Sequence, residues 1–209
     1  MKDQQQFWNE AHKESILSDY STHQTNLAES VNKILAPGAS ILELGCGEGN
    51  DSIYFAEQGH DTIATDFSSV LIEQNRTRLA HQSLQFDQQD ISQPLAFPDE
   101  QFDVIYARLS LHYFTNDVTR KVFTEIARVL KPGGKLCFMC KSTDDRLYGK
   151  GIELEPDMFD MDGHVRHFFS EAYARELLAP SFTVDALETG QEDMYGKISG
   201  FVKVIATKN

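Results

Sequence analysis

The feature that most constrains this 209-residue chain is a regular alternation of strand-like and helix-like segments across residues 40–141. Short apolar runs of strand length recur there, and helical periodicity follows most of them. The last helical segment, residues 116–131, places Val118, Val122 and Ile126 on one face. Such alternation favours a parallel sheet with helices on both faces. We therefore predict an α/β chain with a Rossmann-like, doubly wound and mostly parallel sheet.

Three segments flank this core. Residues 1–39 are polar with scattered apolar positions, which predicts an N-terminal cap of two helices. Residues 142–169 are charged and show no sustained period, so they read as an insert between two elements. Residues 170–209 predict a helix capped by Ser170 and then a pair of strands, which adds an antiparallel C-terminal edge strand to the sheet. All of residues 1–209 then form a single domain.

The formal net charge of −13 argues against a nucleic-acid partner and against an anionic membrane surface, because both attract basic proteins. No apolar run approaches the roughly 18 to 20 residues of a membrane span. Residues 1–15 lack the apolar centre of a secretory signal. We therefore expect a cytoplasmic protein with no membrane partner, present as a monomer or a homodimer.

Cys137 and Cys140 form a CxxC pair within the fifth predicted strand, KLCFMCK. Residues three apart on a strand point to opposite faces of the sheet. No second CxxC is present to complete a zinc site. Buried structural cysteines are therefore favoured over metal or redox chemistry, since a free cysteine behaves as a small hydrophobe. We predict no metal site.

Three glycines at alternate positions follow the first predicted strand. They are Gly45, Gly47 and Gly49 in the stretch ILELGCGEGN, which ends at Asn50, a residue that can cap the next helix. In an open parallel sheet, ligands bind at the carboxyl ends of the strands near the point where the strand order reverses. Glycine permits positive φ and lets a ligand approach the backbone. The stretch therefore predicts a ligand-binding turn.

The acidic residues near this turn indicate which ligand it holds. Glu43 lies two residues before the first glycine, where its carboxylate would repel the diphosphate of a GxGxxG dinucleotide site. It suits a ligand with an ammonium group and no phosphate, such as S-adenosylmethionine. Asp66 and Asp90 end the second and third strands, where acids can accept hydrogen bonds from ribose hydroxyls and an adenine amino group. Taken singly, each acid also fits a solvated, capping or turn carboxylate.

Together these elements resemble the class I S-adenosylmethionine-dependent methyltransferases of the small bacterial methyltransferase-domain kind. The resemblance covers about residues 40–141 and is carried, in order, by ILELGCGEG, ATDFS, QQDI, QFDVIYARLSLHYF and RVLKPGGKLCF. It implies that S-adenosyl-L-methionine is the cofactor and S-adenosyl-L-homocysteine the product. It also implies transfer of a methyl group to a small-molecule acceptor by in-line displacement.

The resemblance further implies a set of cofactor contacts, which run from the methionine end of the cofactor to its adenine. They are Glu43, Gly45 and Gly47 at the methionine moiety, Gly49 in the turn, Asp66 at the ribose, Phe67, Asp90 and Ile91 at the adenine, and Arg108 near the sulfonium.

On the acceptor side, His112 and Tyr113 follow the fourth strand, and we predict that they contact the reacting groups. His112 is a candidate base or shaping group, with a wall or packing role as the alternative. We expect residues 142–169 to face the substrate. The charge of the acceptor stays open. The five acids of the insert suit either a cationic acceptor or a solvated loop, whereas Arg166 could bind a carboxylate of the acceptor. The acids are Glu153, Glu155, Asp157, Asp160 and Asp162.

The insert also contains two histidines, His164 and His167. They are either metal ligands or residues of a lid that folds over the site. Trp8 and Tyr20 are candidates to shut solvent out of the cofactor site, with core packing as the alternative.

Two rival functions come from other classes. A nicotinamide-dependent oxidoreductase is disfavoured by Glu43 and by the glycine spacing. A non-catalytic, adenosylmethionine-binding regulatory module would bind the cofactor without turnover. The chain lacks the [DNS]PP[YFW] motif of adenine-amino methyltransferases and the Pro-Cys of cytosine-carbon enzymes. A small-molecule acceptor is therefore favoured over a nucleic acid.

Overall fold

The computed structural model describes residues 23–194 and 196–209. Its helices are α1 (Asn26–Asn32), α2 (Asn50–Glu57), α3 (Ser69–Arg78), α4 (Asn116–Val129) and α5 (Glu171–Leu178). Its strands are β1 (Ser40–Leu44), β2 (Asp61–Asp66), β3 (Leu84–Gln88), β4 (Phe102–Arg108), β5 (Leu130–Lys141), β6 (Ile152–Glu155), β7 (Met158–Met161), β8 (His164–His167), β9 (Phe182–Asp193) and β10 (Ile198–Lys208). The first predicted helix, with Trp8 and Tyr20, lies outside the described residues.

Seven strands form the main sheet in the order β3-β2-β1-β4-β5-β10-β9. The first five pair in parallel, whereas β10 runs antiparallel to both of its neighbours. The predicted doubly wound, mostly parallel sheet with an antiparallel C-terminal strand is therefore confirmed. The reversed strand, β10, lies one place in from the edge, which β9 occupies. The strand order reverses between β1 and β4, so the carboxyl end of β1 lies at the switch point.

Alternate residues of the central strands pack on opposite faces of the sheet. Ile41 packs with α1 and α2 on one face, and Leu42 packs with α4 and α5 on the other. Both residues are fully buried. Cys137 belongs to the first of these cores and Cys140 to the second, so the predicted opposite orientation and burial of the two cysteines is confirmed.

Two helix caps were predicted from the sequence, and the structure confirms one of them. Ser170 caps α5 as predicted, since its hydroxyl accepts a hydrogen bond from the N–H of Tyr173. The prediction that Asn50 caps α2 was wrong, because Asn50 is the first helical residue and Gly49 takes the cap position with φ 76°. A side chain at that position would also meet Leu79 at 2.8 Å. Only glycine therefore suits the cap.

The predicted fifth strand starts earlier than the sequence indicated. Its pairing with β4 begins at Leu130 and then skips to Lys135, so the Pro-Gly-Gly segment forms an irregularity inside β5. Gly133 has φ 75°, which allows the chain to bend there. The sequence predicts a turn at Pro-Gly-Gly before the strand KLCFMCK, whereas in the structure this segment interrupts the strand.

Residues 142–169 are more ordered than their sequence indicates. Strands β6, β7 and β8 pair antiparallel into a second, three-stranded sheet. Each strand has only four residues, too few for a periodic signal. Asp157 and Asp162, both with positive φ, make the turns. The N–H of His167 donates to the carbonyl of His112 at 2.9 Å, so the small sheet rests on the segment after β4.

None of the helices in the described part of the chain combines the length and the apolar character needed to cross a bilayer.

Candidate functional site

The glycine turn is tied to the ends of the neighbouring strands. The N–H groups of Gly45 and Cys46 both donate to the carbonyl of Thr65 on β2, at 2.8 Å each. From the segment after β4, the Ser110 hydroxyl donates to the carbonyl of Leu44 at 2.5 Å. The turn is therefore held from both sides of β1, at the switch point where ligands bind in such sheets.

Gly45 and Gly47 occupy different surroundings in this turn. A Cβ at Gly45 would lie 2.4 Å from the Cβ of Ser110, so the packing of the protein itself requires glycine there. At Gly47, which has φ 53°, a Cβ would meet nothing within 4 Å. The space beside the Gly47 Cα is thus open, and a ligand can approach the backbone closely there.

Two buried carboxylates surround the turn. Glu43 is 3% exposed and accepts a hydrogen bond from the Ser52 hydroxyl at 2.5 Å. Asp66 accepts hydrogen bonds from the N–H groups of Gly47, at 2.9 Å, and Ser68, at 2.8 Å. Burial, and then the charge of neighbouring Asp51, raises the pKa of Glu43 well above its usual value. A cationic ligand would relieve this crowding of negative charge, whereas a diphosphate would worsen it.

Sequence reasoning missed Asp51, which helps to build the site. Its carboxylate accepts hydrogen bonds from the Tyr106 hydroxyl at 2.6 Å, the Thr25 N–H at 2.7 Å and the Thr25 hydroxyl at 2.8 Å. Burial and Asp51 together raise the pKa of Tyr106. The sequence shows Asp51 only as an acid in the first turn of the helix that follows the glycines. Its partners cannot be found from the pattern, because they lie far away in the sequence.

The predicted adenine contacts are only partly available in this structure. Asp90 accepts hydrogen bonds from the N–H of Ser92, at 2.9 Å, and from its hydroxyl, at 2.6 Å, which are the bonds of a turn aspartate. The side chain of Ile91 packs into the core on the α4 face. Phe67 is partly exposed. The N–H of Gln89 donates to the carbonyl of Asp66, so the ends of β2 and β3 lie side by side as predicted.

Arg108 ends β4 close to the acids of the turn. Its charge acts on Glu43 and lowers the pKa of that residue, although less than burial raises it. Its Nη2 also lies 3.7 Å from Glu192 Oε1 on β9. Sequence reasoning gave Glu192 no role, because nothing in the pattern shows that the C-terminal hairpin reaches this end of the sheet.

His112 is buried beneath the small sheet. The ring is 0% exposed and lies with its centroid 4.4 Å from that of Tyr113, which stacks in turn on His164 at 5.7 Å. Burial, and then the nearby charge of Arg166, lowers the pKa of His112 well below its usual value. The imidazole is therefore neutral at physiological pH and can donate one hydrogen bond and accept another.

The acids of residues 142–169 lie on the exposed strand β6 or hold turns and helix ends. Asp160 accepts a hydrogen bond from the N–H of Gly163 at 2.6 Å, and Asp157 accepts one from the Tyr148 hydroxyl at 2.6 Å. These roles do not favour the cationic-acceptor reading. In residues 23–194 and 196–209, no three His, Cys, Asp or Glu side chains are arranged to hold a metal ion.

An open doubly wound sheet with an acidic glycine turn at its switch point defines a class of nucleotide-binding protein suited to a cationic, phosphate-free ligand. Residues 41–134 match the model of a family described as "Methyltransferase domain". The resemblance to the class I S-adenosylmethionine-dependent methyltransferases that was drawn from the sequence is confirmed over these residues.

Among its relatives is a probable methyltransferase of Aspergillus luteorubrus. It is 30% identical over 149 residues, which are 64% of this chain and 52% of that protein. The chain spans about half the length of the curated relatives it matches.

Two solved structures share the fold. A methyltransferase from Methanosarcina mazei superposes with a TM-score of 0.74 at 24% identity, covering 89% of this chain and 98% of that one. The 1,6-didemethyltoxoflavin-N1-methyltransferase of Burkholderia thailandensis gives 0.74 at 20% identity, covering 99% and 87%. Identities this low carry the fold alone.

Proposed function

We propose that this protein binds S-adenosylmethionine at the glycine turn and transfers its methyl group to a small-molecule acceptor. The observation that carries the proposal is the buried acidic pair, Glu43 and Asp66, beside the open space at Gly47. Because the cofactor carries an ammonium and a sulfonium and no phosphate, its charge complements these acids.

In this proposal Glu43 and the backbone of Gly45 and Gly47 hold the methionine moiety, and Gly49 shapes the turn. Asp66 has its two oxygens bonded to backbone N–H groups already, and each oxygen can accept a further bond from a ribose hydroxyl. The remaining predicted contacts are Phe67, Asp90 and Ile91 at the adenine and Arg108 near the sulfonium.

When bound, the cofactor supplies an activated methyl group on a good leaving group. The protein must then align the acceptor with that methyl group and exclude water. Residues 142–169 form the acceptor side, with His112 and Tyr113 in contact with the acceptor. A neutral His112 can accept a proton from the acceptor if the reaction requires one.

Two observations support a small acceptor. The net charge of −13 disfavours a nucleic acid. The structural neighbour from Burkholderia thailandensis is described with bound 1,6-didemethyltoxoflavin and S-adenosylhomocysteine, so this fold holds a small acceptor in that protein. The predicted cytoplasmic location and the monomeric or homodimeric state stay predictions.

The experiment is a binding and turnover measurement on the Asp66→Ala variant. We expect S-adenosylhomocysteine to bind the parent protein and to bind this variant more weakly by about 1–3 kcal/mol, because charged hydrogen bonds to the ribose are lost. Asp61→Ala, an exposed position at the other end of β2, is the matched control and should bind as the parent does. Unchanged affinity in Asp66→Ala removes Asp66 from the site.

Turnover is tested separately, by following formation of S-adenosylhomocysteine from S-adenosylmethionine with pooled small metabolites. Formation of S-adenosylhomocysteine in the presence of a metabolite pool supports methyltransferase activity. Binding of the cofactor without turnover on any pool would favour the non-catalytic module.

A further inference from the structure

His112 is a buried polar side chain whose burial the fold itself does not explain. Within the described residues, neither Nδ1 nor Nε2 has a hydrogen-bond partner, although the ring is fully buried. Buried polar atoms in folded proteins are nearly always bonded, and leaving one without a partner is costly. A ligand that enters beside this ring would supply the missing partner.

Arg166 on β8 lies near this ring and carries a charge that no described carboxylate neutralises. Over residues 23–194 and 196–209, no carboxylate oxygen comes within the 4.0 Å of an ion pair with its guanidinium. Its Nε is buried without a hydrogen-bond partner, and its Nη2 lies 3.3 Å from His164 Nδ1. Arg166 is half-buried, and a partly desolvated guanidinium without a counter-ion favours the binding of an anion.

The acids that could neutralise Arg166 are engaged elsewhere. Asp145 pairs with Lys141 at 3.1 Å, and both side chains are well buried. Glu155 accepts a hydrogen bond from the first N–H of α4 at 2.9 Å, and Asp160 accepts one from a turn N–H at 2.6 Å. Although residues 142–169 are acidic overall, these three acids are therefore bonded to partners other than the Arg166 guanidinium.

Two cations, Arg166 and Lys141, act electrostatically on His112. Lys141 is paired with Asp145, so its charge is already compensated. Of the two cations, Arg166 has the larger effect. The surroundings of the ring therefore favour a negatively charged ligand over a cationic one.

We propose that the acceptor carries a carboxylate or a similar oxyanion, which Arg166 binds by charge and His112 binds through its ring N–H. The inference rests on the proposed function, because it names the class of acceptor that this side of the site takes. The five acids of the insert left a cationic acceptor open beside a solvated loop, but within the described residues Arg166 is the cation near His112 that forms no ion pair.

The test uses two pairs of probes that differ in charge: hexanoate against hexylamine, and benzoate against benzylamine. Binding is followed through the NMR signals of ¹³C-labelled histidine rings, with and without S-adenosylhomocysteine, and the His112 signal is assigned with His112→Gln. We expect each carboxylate to shift the His112 signal and to bind on the order of tenfold more tightly than its amine, since its hydrogen bonds are charge-assisted.

Arg166→Gln should weaken carboxylate binding by about tenfold or more, and Arg166→Lys should retain part of it. Arg146→Gln, an exposed arginine of the same insert, is the matched control and should leave binding unchanged. Circular dichroism shows which variants are folded. Amines that bind as tightly as the carboxylates, absence of any carboxylate binding, or full affinity in folded Arg166→Gln would overturn the inference.

The outcomes also separate this inference from the proposed function. If S-adenosylhomocysteine binds and the carboxylates do not, the methyltransferase proposal stands and the anionic acceptor falls. If the carboxylates bind through Arg166 and S-adenosylhomocysteine does not, the anion site stands alone.

Discussion

Gly45 and Gly47 show that two residues of one motif can be required for different reasons. Gly45 has φ 79° and faces Ser110 too closely for a side chain, whereas Gly47 has a positive φ but open space around it. The first glycine serves the packing of the protein. The second leaves room for a ligand that the folded chain does not itself fill.

Replacing each glycine by alanine should separate these roles. Gly45→Ala should lower the free energy of unfolding by roughly 2 kcal/mol or more, from backbone strain and the clash with Ser110. Gly47→Ala should cost only about 1 kcal/mol in stability, but it should weaken S-adenosylhomocysteine binding by about tenfold or more because the added methyl occupies the ligand's space. Denaturant unfolding and calorimetry measure both. A Gly47→Ala variant with full affinity would contradict this account of the turn.

The residues of the candidate site could be predicted only where the signal is local. Glu43 and Asp66 follow from their distances to glycines and strand ends, and the structure places both beside the turn. Asp51 could not be found in this way, because its partners Thr25 and Tyr106 lie 26 and 55 residues away in the chain. A role for Arg166 in binding an anion was one of several interpretations of a charged segment. The structure favours it by showing that nearby acids are bonded to other groups.

At the scale of elements, Thr25 joins α1 to the site. The hydroxyl of Thr25 accepts a hydrogen bond from the N–H of Ala28, which caps the helix, and donates one to Asp51 at 2.8 Å. Leu27, Ala28 and other buried residues of α1 pack on the same face of the sheet as α2. The cap and the acidic cluster are thus coupled.

Thr25→Ala removes both bonds and should lower the free energy of unfolding by about 1–2 kcal/mol, as for a lost helix cap. Thr25→Ser keeps the hydroxyl and should remain close to the parent protein. The comparison requires denaturant unfolding of the three proteins under one condition. Equal destabilisation by serine and alanine would show that the methyl group, and not the hydroxyl, stabilises this junction.

The elements themselves differ in how well the sequence predicts them. Strands of the parallel core are buried on both faces and give strong apolar runs, so β1, β2 and β4 fall where they were predicted. Strands β6 to β8 are four residues long and partly exposed, so hydrophobic periodicity could not reveal them. Tight turns and contact with the segment after β4 hold these three strands in place.

At the scale of the whole molecule, histidine burial contributes to the dependence of stability on pH. Burial is the largest cause that lowers the pKa values of His60, His112, His164 and His167 below the usual value of 6.5. The unfolded chain therefore binds protons at these positions first as the pH falls below about 6.5. Stability due to neutral histidine is complete above that pH and is lost below it. The raised pKa of Glu43 acts in the opposite direction.

His164 allows a quantitative test. Burial and then Arg166 lower its pKa to about 4, against a smaller opposing effect of Asp160. His164→Gln should therefore lose less stability than the parent protein between pH 7 and pH 4, by about 3 kcal/mol. Denaturant unfolding across this range gives both curves. Parallel curves would show that His164 takes up a proton as readily in the folded protein as in the unfolded chain.

The measurement that tests the central claim most directly is a calorimetric titration with S-adenosylhomocysteine and, separately, with NADH. Two buffers of different ionisation enthalpy are used near pH 6. The account predicts that S-adenosylhomocysteine binds and releases protons, because its ammonium lowers the raised pKa of Glu43, and that Glu43→Gln binds without this release. NADH, with its diphosphate, should not bind. Tight NADH binding with no response to S-adenosylhomocysteine would contradict the account.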